Sequence, residues 1–301
     1  MKNISTVFVL LAALCWGLSG GIGGILLAEG WNGLVVTFYR GAIGLLFVIA
    51  WLGLRPRGSG LANPRLWFWS AIAGVGVAGN FGFYFASIAE GSVAVAATLM
   101  YCAPVFVFLV SIALKMEKPS LPKWAAMAMV LAGVVLLTGI HEMGVDGVTP
   151  IAALTGLLSG VSYAVFIFGF KNAAPHGSPQ AILAIAFTTL VILLVGMVDT
   201  DQTIAVLGTP SWPLFVILGV LGAGISFILY IVGLNHTTPA VASMLAIVEP
   251  VTASLFGVVV LDESLVGRQI LGMALILITV TALSVYSSRR KEAPDYSPPL
   301  I

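Results

Sequence analysis

Cys102-Ala103-Pro104-Val105 and, 146 residues later, Val248-Glu249-Pro250-Val251 are two copies of one piece of chain. Around them the register holds. Ala94-Val95-Ala96 falls on Ala240-Val241-Ala242, Leu109 on Leu255, Glu117 on Glu263, Met127-Ala128 on Met273-Ala274, and Tyr84 on Tyr230. No gap is needed from the pair Gly76/Gly222 to the pair Leu137/Leu283. Matches of Ala, Val and Leu arise by chance in an apolar chain. A shared Pro and a shared Glu at one separation are much rarer coincidences. The chain therefore reads as a duplication, and repeats have to be recognised before any fold is assigned.

The duplicated unit is too apolar for water. Of the 301 residues 59% are hydrophobic and 8% charged, and the mean hydropathy is +1.10. A soluble domain carries about 25% charged residues, so the solvent of this chain is lipid. A helix needs about 20 apolar residues to cross the hydrocarbon. The runs place all-α transmembrane segments at 5–28, 32–53, 66–88, 92–114, 122–140, 148–170, 179–198, 212–234, 238–260 and 266–287. Short connections, such as Glu90-Gly91 and Asn235-His236, make consecutive segments antiparallel. Lys2 precedes the first run as in a signal peptide. That run has no Asp, Glu, Lys or Arg over 4–28 and exceeds an h-region of about 7–15 residues, so it reads as a retained helix.

Ten segments divide into five per repeat, at 1–144 and 145–288, with 289–301 a charged, Pro-rich tail expected to be a disordered cytoplasmic extension. Five is odd, so the second unit enters from the other face. The expected architecture is an inverted-topology pair related by a pseudo-two-fold axis in the membrane plane. Transporters use it with substrate held near the midplane between the repeats. Lys and Arg set the orientation. With both termini cytoplasmic, that side carries Lys2, Arg55, Arg57, Arg65, Lys115, Lys118, Lys123, Lys171, Arg289, Arg290 and Lys291, and the outer side Arg268. A multi-pass protein of the cytoplasmic (inner) membrane follows.

Several functions are disfavoured by what the chain lacks. A net charge of +1 gives no basic footprint for nucleic acid. Cys15 and Cys102 fit neither a metal site nor a CxxC motif. There is no HExxH and no GxxxxGK[ST], so no cofactor, metal or ATP drive is expected, and no obligate protein partner is evident beyond the bilayer and a small-molecule substrate. Gly17-Leu18-Ser19-Gly20 matches the GxSG of rhomboid-type proteases, which need a histidine base within reach. His141, His176 and His236 all fall at segment ends. A channel would be expected to show rings of repeated polar groups, and none is seen.

Two charges lie within segments, Arg40 and Glu249. A charge at the bilayer centre costs roughly 2.5–3.5 kcal/mol on insertion scales. Their repeat mates are Ala186 and Ala103, so the scaffold works once without either. Glu249 is a candidate for an ammonium group or a coupling proton. Arg40 is a candidate for a carboxylate or for holding Glu249. A structural ion pair is the alternative. Trp16, Asn80, Tyr84, Tyr101, Tyr163 and Tyr230 fall well inside segments, as cavity lining or as interhelical packing. Trp31, Trp51, Trp67, Trp69 and Trp212 stand near segment ends, as interface anchors do. Pro104 and Pro250 must kink their helices, either as paired gating elements or as static bends. The GxxxG spacings of Gly17, Gly20, Gly21 and Gly24 read as close packing.

Val248-Glu249-Pro250-Val251, Leu261-Asp262-Glu263-Ser264-Leu265 and Gly272, echoed by Ala103-Pro104-Val105 and Glu117-Lys118-Pro119, resemble the signature of EamA-type carriers of the drug/metabolite transporter superfamily. Trp16-Gly17 and Arg40 also resemble that family. The resemblance implies a 5+5 carrier whose cavity is lined by the first, third, fourth, sixth, eighth and ninth segments. It is similar to the amino-acid and metabolite exporters of the superfamily, the aromatic amino-acid exporters among them. The expected function is a secondary transporter working by alternating access and exporting amino acids or related amphipathic metabolites. The runner-up is a multidrug or cationic-compound exporter of the same superfamily. A channel or an intramembrane enzyme is more distant.

Overall fold

The computed structural model describes the backbone of residues 2–142 and 148–290 and the side chains of residues 5–142 and 148–285. No strand occurs among the described residues. The helices are α1 (Lys2–Ala28), α2 (Gly33–Leu54), α3 (Pro64–Ala89), α4 (Val93–Met100), α5 (Ala103–Ala113), α6 (Leu121–Thr138), α7 (Pro150–Ala173) and α8 (Pro179–Val195). They continue as α9 (Thr200–Ala205), α10 (Trp212–Gly219), α11 (Ser226–Leu234), α12 (Pro239–Ala246), α13 (Val248–Val260) and α14 (Gly267–Arg290). A π-helical turn, Val220–Ile225, joins α10 to α11.

The helix starts follow from capping. Asn32 Oδ1 accepts from the Leu34 N–H at 2.8 Å, Asn63 Oδ1 from the Arg65 N–H at 3.0 Å and Thr149 Oγ1 from the Ala152 N–H at 3.1 Å. Each satisfies a donor that the first turn leaves orphaned. Pro64, Pro150 and Pro179 follow their caps, where a missing N–H costs nothing.

Nine helical stretches among the described residues are long and apolar enough to cross a membrane. The seventh expected segment, 179–198, is shorter than the sequence suggests. α8 has 17 residues and ends at Val195, with Gly196 as its C-cap, and Asp199 then caps the next helix, its carboxylate accepting from the Gln202 N–H at 2.8 Å. The C-terminal boundary also differs. Nothing in Ser287-Ser288-Arg289-Arg290 breaks a helix, and α14 runs through Arg290, where the tail was expected to begin. Residues 291–301 of that tail lie outside the described residues, as does the boundary between units at 144–145.

Proline decides two breaks. Pro104 has no N–H to give the Met100 carbonyl, and α4 ends at Met100. Pro250 has none for the Ala246 carbonyl, and α12 ends at Ala246. The two ends are 146 residues apart. Each expected kink is thus an interruption placed one turn before its proline.

The packing follows the same offset. α3 lies along α7, and α1 along α11 and its π turn. α1 also packs on α12 and α13, as α7 packs on α4 and α5. α2 packs on α8 and α6 on α14. Exchanging the repeats carries each of these pairings onto another or onto itself. Small residues permit the approach. A Cβ on Gly76 would stand 2.5 Å from the Phe166 backbone nitrogen, so α3 and α7 meet backbone to backbone. The glycine stripe of α1 is divided. Gly17 and Gly21 press on α13, while Gly20 and Gly24, with Gly17 beside them, line a cavity. Gly76→Val must push α3 off α7. Overpacking of this kind costs about 1–3 kcal/mol, and thermal unfolding in detergent is expected to show a clearly lowered midpoint.

Candidate functional site

A cavity of about 500 Å³ lies between α1, α2, α3, α4, α7, the α10–α11 span and α13. Leu27, Ile88 and Val93, in end turns of α1, α3 and α4, line it. The cavity therefore reaches the end of the bundle where those helices meet. Its other limit is mid-bundle and aromatic. Trp16 and Phe227 stack edge to face at 5.0 Å, Tyr163 and Phe166 lie 4.4 Å apart, and Phe227 packs on Phe187 and Phe170 at 5.4 and 5.8 Å. These rings form a floor.

Seven residues singled out from the sequence line this one space: Trp16, Arg40, Asn80, Tyr84, Tyr101, Tyr163 and Glu249. Tyr101 stands in the break that Pro104 makes, and Glu249 starts α13 just past the break that Pro250 makes. Pro104 and Pro250 do not line the cavity themselves. Tyr230 does not line it either. It is fully buried below the floor, 5.0 Å from Trp16 between ring centroids. Asn80 fulfils both of its expected roles. It faces the cavity, and its Nδ2 donates to the Ser159 carbonyl and hydroxyl, both at 3.1 Å. Ser159 Oγ returns a bond to the Asn80 carbonyl at 2.9 Å. This clasp ties α3 to α7.

Arg40 and Glu249 share the cavity without pairing. The ion pairs among the described residues are Lys123–Glu117 and Arg268–Glu142, with the His141 ring 3.7 Å from the Glu142 carboxylate. The Arg40 guanidinium donates through Nε and Nη2 to the Gly222 carbonyl, at 3.0 and 2.7 Å, and sits 4.9 Å from the Phe81 ring centre. That carbonyl is available because of the π turn. The Ser226 N–H reaches back five residues to the Leu221 carbonyl, where an α-helix would have used Gly222. Only glycine fits there. A Cβ on Gly222 would stand 2.6 Å from Ser19 Cβ and 3.0 Å from Arg40 Nε. The second segment was absent from the lining implied by resemblance, and Arg40 and Thr37 bring it in. Gly222, Phe81, Phe166 and Phe227 were not singled out in advance. The run Gly222-Ala223-Gly224 within an apolar segment was the available signal for the first.

Ser19, the nucleophile position of the GxSG match, donates to the Trp16 carbonyl at 2.9 Å. The three histidines stand at or beyond helix ends, in short 3-10 turns or in the α11–α12 connection. No histidine lines the cavity.

Comparison with known proteins then decides the family. The model of the EamA-like transporter family matches residues 3–139 and again residues 150–285. The chain belongs to the EamA-like transporter family. An uncharacterized transporter of Bacillus subtilis, YwfM, is 25% identical over 296 residues, 97% of each chain. An uncharacterized transporter of Archaeoglobus fulgidus is 31% identical over 199 residues, 64% of this chain and 68% of that one. Protein PecM of Dickeya dadantii is 26% identical over 202 residues, 64% and 65% of the two. A crystal structure covering 97% of this chain and 100% of its own superposes with a TM-score of 0.77 at 23% identity, a likeness of fold. This is a multi-pass membrane transporter, and the Bacillus subtilis and Archaeoglobus fulgidus relatives are named as transporters rather than enzymes.

The Arg40 fork is a structural as well as a chemical element of the EamA fold seen here. Arg40→Met removes both bonds to Gly222 and leaves that carbonyl bare. A loss of about 1–3 kcal/mol is expected, read as a lowered unfolding midpoint. Arg40→Lys should recover only part of it, since an ammonium lacks the planar fork.

Proposed function

We propose that this transporter is a secondary carrier of small amphipathic zwitterions, amino acids or close relatives, which it exports across the cytoplasmic membrane by alternating access. One observation carries the reading: an unpaired carboxylate and a tethered guanidinium face the same aromatic cavity of about 500 Å³. Glu249 offers a partner to an ammonium group. Arg40 has spent two of its five donors and keeps others for a carboxylate. Trp16, Tyr84, Tyr101 and Phe227 offer faces and edges to an apolar side chain. A phosphorylated substrate would call for several Lys or Arg, and the cavity has one cation.

The architecture proposed with it is ten spanning segments in two inverted units, 1–144 and 145–288, with both termini cytoplasmic. The exchange symmetry of the helix pairings supports the duplication. The distribution of Lys and Arg supports the orientation, which turns the cavity's mouth outward. A closed aromatic floor favours a carrier over a channel. α8 counts as the tenth span. It is about 25 Å long at 1.5 Å per residue, and thinning of the bilayer or flanking residues can cover the remainder. The breaks at Pro104 and Pro250 are proposed as the paired moving elements. Export follows from family resemblance. Among alternatives, a cationic-compound exporter is favoured by Glu249 and the aromatic walls and disfavoured by Arg40.

The test is counterflow in proteoliposomes with a panel of labelled amino acids, with and without a pH gradient. Saturable counterflow of at least one amino acid is expected, and Glu249→Gln at normal expression is expected to cut it at least about tenfold, the worth of one charge-assisted hydrogen bond. Flux of lipophilic cations without flux of any amino acid would replace this substrate by the runner-up. Undiminished transport by Glu249→Gln would remove the carboxylate from the mechanism.

A further inference from the structure

We propose that Ser226, Tyr230 and the Trp16 indole N–H form the cytoplasmic half of the transport path, held dry in this conformation by a latch that Lys171 closes. The inference rests on the alternating-access reading above.

The first observation is a set of orphaned polar groups. Ser226 Oγ, Tyr230 Oη and Trp16 Nε1 are buried without a hydrogen-bond partner. Buried polar groups are almost always paired, and each exception calls for a reason. Here the reason comes from the repeat. Ser226 and Tyr230 stand one turn apart on α11, on one face. The offset of 146 carries Asn80 onto Ser226 and Tyr84 onto Tyr230, and both of those line the cavity. The same face of the duplicated unit is thus wet in one copy and sealed in the other. Ser159, which clasps Asn80, has alanine as its counterpart on α1, Ala12 or Ala13 by the two registers that align the repeats there. α1 accordingly offers Ser226 nothing to bond. A face that never met water would be better made of Ala and Phe, since removing an unpaired hydroxyl costs little and can stabilise.

The second observation is what keeps this face sealed. Beneath the aromatic floor, at the end of α7, Lys171 Nζ donates to the Leu234, Asn235 and Thr237 carbonyls at 2.6, 3.2 and 3.1 Å. These are the last carbonyl of α11 and two in the turn to α12. An ammonium group belongs there, where a helix leaves carbonyls unbonded and its dipole is negative. The latch joins α7 to the α11–α12 turn. Exchange of the repeats carries the same junction to the mouth. There Gly24 or Ile25 replaces Lys171, facing a turn that contains Ile88, Ala89 and Gly91. No cation is available to tie that junction, and a Cβ on Gly24 would meet nothing within 4 Å. One end is bolted and its counterpart is open. Release of Lys171 would let the α11–α12 turn leave α7 and admit water to Ser226 and Tyr230.

The experiment is thiol labelling in vesicles of defined sidedness, with Cys15 and Cys102 first replaced by Ala. Ala253→Cys, in the cavity wall, is expected to react with an impermeant maleimide from the outer side. Ser226→Cys is expected to react slowly, and from the cytoplasmic side alone. Adding Lys171→Gln should raise that cytoplasmic rate about tenfold, the worth of one charge-assisted hydrogen bond, and lower the outer rate at Ala253→Cys. Lys171→Arg should stay near the parent. Labelling of Ser226→Cys from the outer side, or rates in both probes that Lys171→Gln raises together or leaves unmoved, would overturn the proposal. If the glutamine variant misfolds, hydrogen exchange on the unsubstituted chain decides. The α11–α12 turn must exchange more slowly than the α3–α4 turn, and equal or faster exchange overturns the latch. Neither readout needs a substrate. Failure of amino-acid flux with this labelling pattern would therefore sink the substrate reading alone, and flux without the pattern would sink the latch alone.

Discussion

A backbone carbonyl in the middle of a membrane must find a donor, because the hydrocarbon has none. The centre of this protein is organised by that requirement. Where the helices stay regular, every carbonyl is paired within its own helix and the segment is lipid-compatible anywhere. Three places depart from regularity: the breaks before Pro104 and Pro250 and the π turn at Val220–Ile225. Tyr101, Glu249 and the Arg40–Gly222 contact bring all three to the cavity. Irregular backbone at membrane depth survives only where protein or a cavity receives it. The site and the irregularities are one feature, since each supplies the polar groups the other needs.

The Arg40–Gly222 contact shows the logic at the scale of single atoms. The π turn moves one N–H back by a residue and frees a carbonyl. A guanidinium from α2 takes that carbonyl with two donors and rests against Phe81. The charge, which would be costly in lipid, is thereby fixed at the wall of the cavity. Glu249 is treated differently. No cation meets it among the described residues, so its carboxylate remains available to whatever enters. A pair that neutralised itself would hold the helices together and leave a mostly apolar cavity. Keeping the two apart leaves two separate charged groups on one cavity wall.

The duplicated scaffold is used asymmetrically. The pairings of α1, α3, α7 and α11 obey the exchange of repeats, but Arg40 and Glu249 stand opposite alanines, and the Asn80–Ser159 clasp has no counterpart. The two copies therefore share their packing and differ in the polar groups that they carry at membrane depth.

The sequence by itself determined the helical membrane class, the duplication, the positions of both breaks and seven polar, aromatic or charged residues of the cavity wall, from Trp16 to Glu249. The physical reason is that these are local or periodic properties. Hydropathy needs only a window of about 20 residues, and a proline removes a bond to the residue four before it wherever it stands. The end of α8 at Gly196 and the Asp199 cap that starts the next helix were local as well, though weaker signals than the apolar run in which they stand. Only the tertiary structure decided three things. It kept Arg40 and Glu249 apart, since depth along two helices says nothing of their azimuth. It placed Tyr230 beneath the floor while its mate Tyr84 faces the cavity, because identical residues in two copies are distinguished only by what packs around them. It also revealed Gly222, whose carbonyl is freed by a π turn. No residue type encodes that turn, and packing of α2 against the α10–α11 span is what makes it visible.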